Sequence, residues 1–224
     1  MEKELIQIRR IQNGQINVKQ DEVATEHELT ILLQDGREIR TACTPTHLDE
    51  LVLGRRFLEG DMTENELVQC SRSEQQLEKQ AYEPVQLLER VSLTEIFSVA
   101  KSSFENPGSL FADTGCAHSC VLVHDGKVIC TMEDIGRHNA LDKVIGYAIK
   151  HQVSSSQSYI FASGRIAGDY ILKAYKAGFS MVVSRAAVTS AAVSFAKEHN
   201  MTLIGFVRKN TGNIYHEGKV KLYE

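Results

Sequence analysis

A change of rhythm near residue 110 constrains this 224-residue chain more than any other feature. Beyond it, short apolar runs alternate with stretches of helical periodicity. Cys120–His124 and Val128–Met132 flank Asp125-Gly126, a hairpin signal. Leu141, Val144, Ile145, Ala148 and Ile149 then form one helical stripe. The strand Tyr159–Ala162 leads into a helix carrying Ile166, Tyr170, Ile171 and Ala174, stopped by Gly178. The strand Met181–Val183 leads into one carrying Val188, Ala191, Ala192 and Phe195, stopped near Asn200; Thr202–Val207 is the last strand. Such alternation predicts an α/β fold, a parallel or mixed sheet with helices packed on it.

The first half reads differently. Asn13-Gly14, between Leu5–Ile8 and Ile16–Val18, and Asp35-Gly36, between Leu29–Leu33 and Arg37–Arg40, predict two hairpins. A helix follows, with Thr46 as N-cap, Leu48, Leu51, Val52, Arg55 and Leu58 at helical spacing, and Gly60 as the stop. Thr63 to Arg90 is polar and Gln/Glu-rich, with a weak strand at Pro84–Leu88. Ser92-Leu93-Thr94-Glu95 is a capping box opening the helix Leu93–Phe104, which Asn106-Pro107-Gly108 ends. These breaks predict a small β-rich N-terminal domain over 1–108 and an α/β domain over 109–224.

The charge divides along the same line. Residues 1–110 hold 12 Lys and Arg against 20 Asp and Glu, and residues 111–224 hold 13 against 9. The second half is the better home for an anionic ligand. No apolar run approaches a membrane span, and the charged start Met1-Glu2-Lys3-Glu4 leads into no signal core. With five cysteines, an odd number, the chain reads as cytoplasmic and free of a disulfide framework, acting on neither membrane nor nucleic acid.

Polar residues gather where strands hand over to helices: Gly136-Arg137-His138-Asn139, Ser163-Gly164-Arg165, and Ser184-Arg185 with Thr189 and Ser190 a turn later. In open α/β sheets, ligands bind outside the carboxyl ends of strands. Helix N-termini, glycine and arginine all favour phosphate there. Ordinary capping and turn chemistry explains any one junction; three together, each with an arginine, predict a pocket for a phosphorylated or nucleotide-like ligand.

The second constellation is Thr114-Gly115-Cys116-Ala117-His118-Ser119-Cys120. On a strand, Cys116, His118 and Cys120 share one face; on a helical turn, Cys116 and Cys120 approach each other. A two-residue turn at Asp125-Gly126 would pair Cys120 with Thr131 and His118 with Glu133, orienting the imidazole and raising its pKa. It would also put Cys130 and Cys120 on opposite faces, against a disulfide between them. A thiol beside a titratable histidine is how a nucleophilic thiolate is made. Cys43, Cys70 and Cys130 read instead as small core residues. The one-residue Cys/His/Cys spacings suit zinc poorly, and no zinc is expected.

The run Glu133-Asp134-Ile135-Gly136-Arg137-His138-Asn139-Ala140-Leu141-Asp142-Lys143-Val144-Ile145-Gly146 resembles the signature of the FdhD/NarQ family of formate dehydrogenase accessory sulfurtransferases. Thr114–His118, Ser163-Gly164-Arg165, Thr202–Arg208 and Asp49–Gly54 with Phe57–Gly60 extend the resemblance over most of the chain. The resemblance implies a C-terminal three-layer domain similar to cytidine deaminases, with a mixed sheet. It also implies transfer of sulfur, as persulfide, from a cysteine desulfurase to the molybdenum or tungsten bis-guanine-dinucleotide cofactor of formate dehydrogenase, by a homodimer. Cys116, Cys120 and His118 would handle sulfur. Thr114, Gly115, Gly136, Arg137, His138, Asn139, Ser163, Gly164, Arg165, Ser184, Thr189 and Ser190 would hold the cofactor.

The chain departs from the family in two places. The Cys-Gly-x-Cys-Gly loop that carries the family's sulfur is absent; Gln69 to Arg90 contains only Cys70. Ser184-Arg185-Ala186-Ala187 stands where a proline is common. Either Cys116 and Cys120 have taken over, or the chain binds cofactor or guanine nucleotide as a chaperone or regulator without transferring sulfur. Zinc-deaminase chemistry is lost, since Ala140 stands where the Glu after His138 would be and the helix after Arg165 has no cysteine.

Overall fold

A computed structural model describes residues 1–63, 66 and 87–224. Cys70 and most of the Gln/Glu-rich stretch, with Pro84 to Gln86 of the weak strand, lie outside the described residues.

Both N-terminal hairpins form where their turn residues predict. β1 (Lys3–Gln12) pairs with β2 (Gln15–Ala24) through Asn13 and Gly14, both at positive φ. β3 (His27–Leu32) pairs with β4 (Glu38–Cys43). Helix α1 (Leu48–Leu58) is entered differently from the expected Thr46 cap. The chain turns at His47 with φ 51°, and no side chain caps the helix. Strand β5 (Arg90–Ser92) runs into α2 (Leu93–Glu105), where the Ser92 hydroxyl accepts from the Glu95 N–H as the capping box requires. A six-residue helix, α3 (Ser109–Thr114), precedes the main sheet.

That sheet has six strands in the order β11-β10-β9-β8-β6-β7. β6 (His118–His124) is antiparallel to both β7 (Lys127–Asp134) and β8 (Ser158–Ala162). β8, β9 (Met181–Ser184) and β10 (Thr202–Arg208) are parallel. Helices α4 (Arg137–Lys150), α5 (Gly168–Lys176) and α6 (Ser190–Glu198) link the strands. Three strands are not expected from the sequence: β5, β11 (Thr211–His216), antiparallel to β10, and β12 (Lys221–Tyr223), which pairs with β5. Neither β11 nor β12 has a turn dipeptide or the alternation that would announce it.

Each sheet face carries its own core. Cys120, Leu122, Ile160 and Val182 pack with Leu141, Val144, Tyr170, Ile171 and Ala192 of the linking helices. Val121, Val123, Phe161 and Val183 pack with Ile96, Val99 and Ala100 of α2. The first half is tied in as well. Helix α1 lies so close to α4 that a Cβ on Gly54 would fall 1.9 Å from the Asp142 carbonyl oxygen, and one on Gly146 1.9 Å from that of Glu50. The sequence puts glycine at both crossings.

Two expectations need correction. A bulge between Leu122 and Val123 shifts the hairpin register by one residue, so His118 pairs with Asp134, Cys120 with Met132 and Cys130 with Leu122. Cys130 therefore packs against the same core as Cys120. Nor do the junctions after β8 and β9 open directly into helices. Ile166 and Val188 form a parallel bridge, with Ile166 N–H on Ala187 O and Thr189 N–H on Ile166 O. The helices start only at Gly168 and Ser190.

Candidate functional site

At the carboxyl ends of β7, β8 and β9 lies a cavity of about 610 Å³. Its lining includes Gly115, Cys116, His118, Ser119, Glu133, Ser163, Arg185 and Arg208, with an apolar share from Phe104, Phe111 and Phe161.

Helix α3 delivers the thiol. Leu110 and Phe111 N–H both donate to the Glu133 carboxylate at 3.1 Å, satisfying orphan donors of the first turn. At its other end the Thr114 hydroxyl donates to Leu110 O at 2.6 Å and accepts from Cys116 N–H at 3.0 Å. Gly115 takes φ 68°. Cys116 emerges exposed on the cavity wall. Glu133, committed to α3, does not meet His118 as predicted. Burial lowers the His118 pKa first, and Arg137 and Arg165 lower it further against Asp134; the imidazole is neutral at pH 7 rather than raised.

The first two junctions converge on that histidine. A Cβ on Gly164 would lie 3.1 Å from His118 Nδ1 and 3.3 Å from Arg137 Cβ. Ser119 N–H donates to Ser163 Oγ at 2.9 Å, and Ser163 N–H to Ser119 O at 2.9 Å. Arg137, the first residue of α4, keeps a buried Nε with no partner, and Arg165 is exposed. Ser184 is a buried strut, donating to Gly164 O at 2.7 Å and accepting from Ala186 N–H at 2.9 Å. Among the described residues no carboxylate pairs with Arg137, Arg165, Arg185 or Arg208.

Other candidates lie elsewhere. Cys120 is fully buried beneath the Tyr170 hydroxyl at 3.6 Å, and burial pushes its thiol up to about 12. It is a core residue and not a second reactive thiol. Asn139 is a latch: its amide donates to Ala42 O and to Asp134, while Thr41 donates to its oxygen. Gly136 begins α4 with its N–H on Asp134. His138 sits 3.3 Å from Asp169 and against the Tyr170 ring; burial takes its pKa down to about 4. Thr189 caps α6 through Ala192 N–H, and both it and Ser190 are exposed away from the cavity.

Much of the fourteen-residue run is thus architecture. Asp134 and Lys143 form an ion pair at 2.7 Å with neither exposed, shared with the Thr44 hydroxyl. Asp142, also fully buried, takes Arg55 at 2.7 Å and Lys173 at 2.8 Å. Phe104, Phe111, Phe161 and Arg208 are among the cavity residues that the sequence does not single out. Phe104 follows Ile96 and Ala100 at four-residue steps and reads as core.

The fold and site define a mixed-sheet α/β protein with a cavity lined by Arg185 and Arg208 and a thiol on its wall. The FdhD/NarQ family matches residues 61–220, and the chain belongs to that family. It is 32% identical to the Sulfur carrier protein FdhD of Bacillus pumilus (strain SAFR-032) over 93% of both chains, and 31% identical to that of Bacillus subtilis (strain 168) over 92% of both. A crystal structure of a candidate formate dehydrogenase accessory protein from Desulfotalea psychrophila superposes with a TM-score of 0.79 at 25% identity, covering 96% of this chain and 97% of that one. No described helix is long and apolar enough to cross a membrane, and no group of three or more His, Cys, Asp and Glu among the described residues is placed to hold a metal.

Proposed function

We propose that this chain is a cytoplasmic maturation factor for formate dehydrogenase, taking sulfur from a cysteine desulfurase and delivering it to a molybdenum or tungsten guanine-dinucleotide cofactor bound as substrate. The observation that carries the reading is the exposed thiol of Cys116 on the wall of a cavity lined by Arg185 and Arg208, which no carboxylate among the described residues neutralises. A cavity of this size holds a drug-sized ligand, hence one nucleotide or pterin arm of such a cofactor. Arg137, Arg165, Arg185 and Arg208 would meet its phosphates, and the orphaned Arg137 Nε fits an anion that supplies the missing acceptor.

The sulfur step needs one thiol. Cys116 gives its proton to the neutral His118, and the thiolate attacks the outer sulfur of the desulfurase persulfide. A new S–S bond forms to Cys116, the old one breaks, and the desulfurase cysteine leaves as thiolate. The cytidine-deaminase-like layering belongs to the same reading, supported by helices on both sheet faces. So does a homodimer, for which the exposed Leu5, Ile11, Ile16 and Val18 on one face of the β1–β2 hairpin offer a surface.

The test is intact-protein mass spectrometry after incubation with a cysteine desulfurase and cysteine. A one-sulfur gain that vanishes in Cys116→Ala supports the reading; its persistence in Cys116→Ala, or its absence from the wild type, contradicts it. The absence of the Cys-Gly-x-Cys-Gly loop between Gln69 and Arg90 favours a second reading, a cofactor-binding chaperone without sulfur transfer. That reading predicts that Cys116→Ala still binds ligand and still activates the dehydrogenase.

A further inference from the structure

Helix α2 ends in an aromatic residue that the core does not use. Ile96 and Ala100 are buried beneath the sheet, yet Phe104, one step further along the same face, is 62% exposed. It lines the cavity, as does Phe111 of α3, itself 42% exposed. A single exposed phenylalanine is ordinary; two lining one cavity offer apolar surface to a ligand there.

The face of Phe104 is occupied in an unusual way. The Arg185 guanidinium carbon lies 4.7 Å from its ring centroid. The Arg185 main chain is fixed, with its N–H on Ala162 O at 2.9 Å and its carbonyl accepting from Arg208 Nε at 3.3 Å. Its guanidinium is not, since no carboxylate among the described residues pairs with it.

We propose that Phe104 is the stacking surface for the flat heterocycle of a phosphate-bearing ligand, and that Arg185 covers this surface in the free protein and moves to the ligand's phosphate on binding. This rests on the reading of the cavity as a nucleotide-type site. A cation over an exposed phenylalanine is weakly held, whereas a bicyclic base stacked on an aromatic ring is held more firmly. The displaced guanidinium then gains charge-assisted hydrogen bonds to phosphate. Ring and phosphate reinforce each other, because the ring takes the place the cation vacates. Phosphate without a ring must draw Arg185 off Phe104 with nothing to replace it. A purine and a pterin share this stacking chemistry.

Calorimetric titration of the full chain with guanosine diphosphate, a pterin phosphate and inorganic pyrophosphate tests it. Phe104→Leu should weaken one or both ring-bearing ligands roughly ten- to hundredfold while leaving pyrophosphate unchanged or up to about fivefold tighter. Phe104→Tyr should restore the affinity. The ring that suffers identifies which heterocycle stacks. If Phe104→Leu leaves both ring-bearing ligands unchanged, or weakens pyrophosphate in step with them, the stacking assignment fails while the cavity reading stands. If the wild type binds none of the three, both fail. Phe104 is exposed, so neither variant should disturb the fold.

Discussion

Two sets of charges flank the start of α4, and they are treated in opposite ways. On the core side every buried charge has its partner: Asp134 with Lys143, and Asp142 with Arg55 and Lys173. Beside the cavity Arg137, Arg165, Arg185 and Arg208 have no carboxylate partner among the described residues. Burying an ion without a counter-ion is prohibitive, so the first set is what folding demands. Folding has no such need of the second. Arginines held near one another and left unpaired repel, a cost that an anionic ligand offsets. Pairing marks the residues that build the protein, and its absence marks those that await something else.

The contrast breaks first on stability. Lys143→Met leaves Asp134 buried without a counter-ion and should cost about 3–5 kcal/mol, whereas Arg165→Ala should stay within about 0.5 kcal/mol; urea denaturation separates the two. Next comes ligand binding, where the order reverses. Arg137→Ala or Arg165→Ala should weaken guanosine diphosphate by roughly tenfold or more, the worth of one charged hydrogen bond, measured by titration at fixed salt. The third test is pH. The His138 pKa is lowered to about 4 by burial, so the unfolded chain binds a proton that the native chain refuses. Stability should be complete above the ordinary histidine range and fall as pH drops towards 4, with a slope approaching about 1.4 kcal/mol per pH unit. His138→Gln should flatten that slope; an unchanged profile would contradict the assignment. Thr189→Ala loses a helix cap worth about 1 kcal/mol and should leave ligand affinity untouched.

The elements were legible where local chemistry is sufficient. Asn13-Gly14, Asp125-Gly126 and the Ser92 N-cap each specify a turn or a helix start within a few residues, and each forms. What failed depended on distant partners. The bulge after Leu122 moved His118 opposite Asp134, and no dipeptide announces a bulge. The Ile166–Val188 bridge delayed two helices because two loops, twenty-two residues apart, hydrogen-bond to each other. At the site, the three junctions were legible as glycine, serine and arginine after strands, and those after β7 and β8 converge on His118 while Arg185 of the third lines the cavity. Cys120 was misjudged because period two says which residues share a face but not that this face is the core. Phe104 was passed over for the converse reason: its spacing is that of a core residue, and only the end of α2 carries it out to the cavity.

In a co-crystal with guanosine diphosphate, the diphosphate should lie within hydrogen-bonding distance of at least two of Arg137, Arg165, Arg185 and Arg208, with Cys116 on the wall of the same cavity. A diphosphate bound away from all four arginines would contradict the reading of the cavity as a nucleotide-type site.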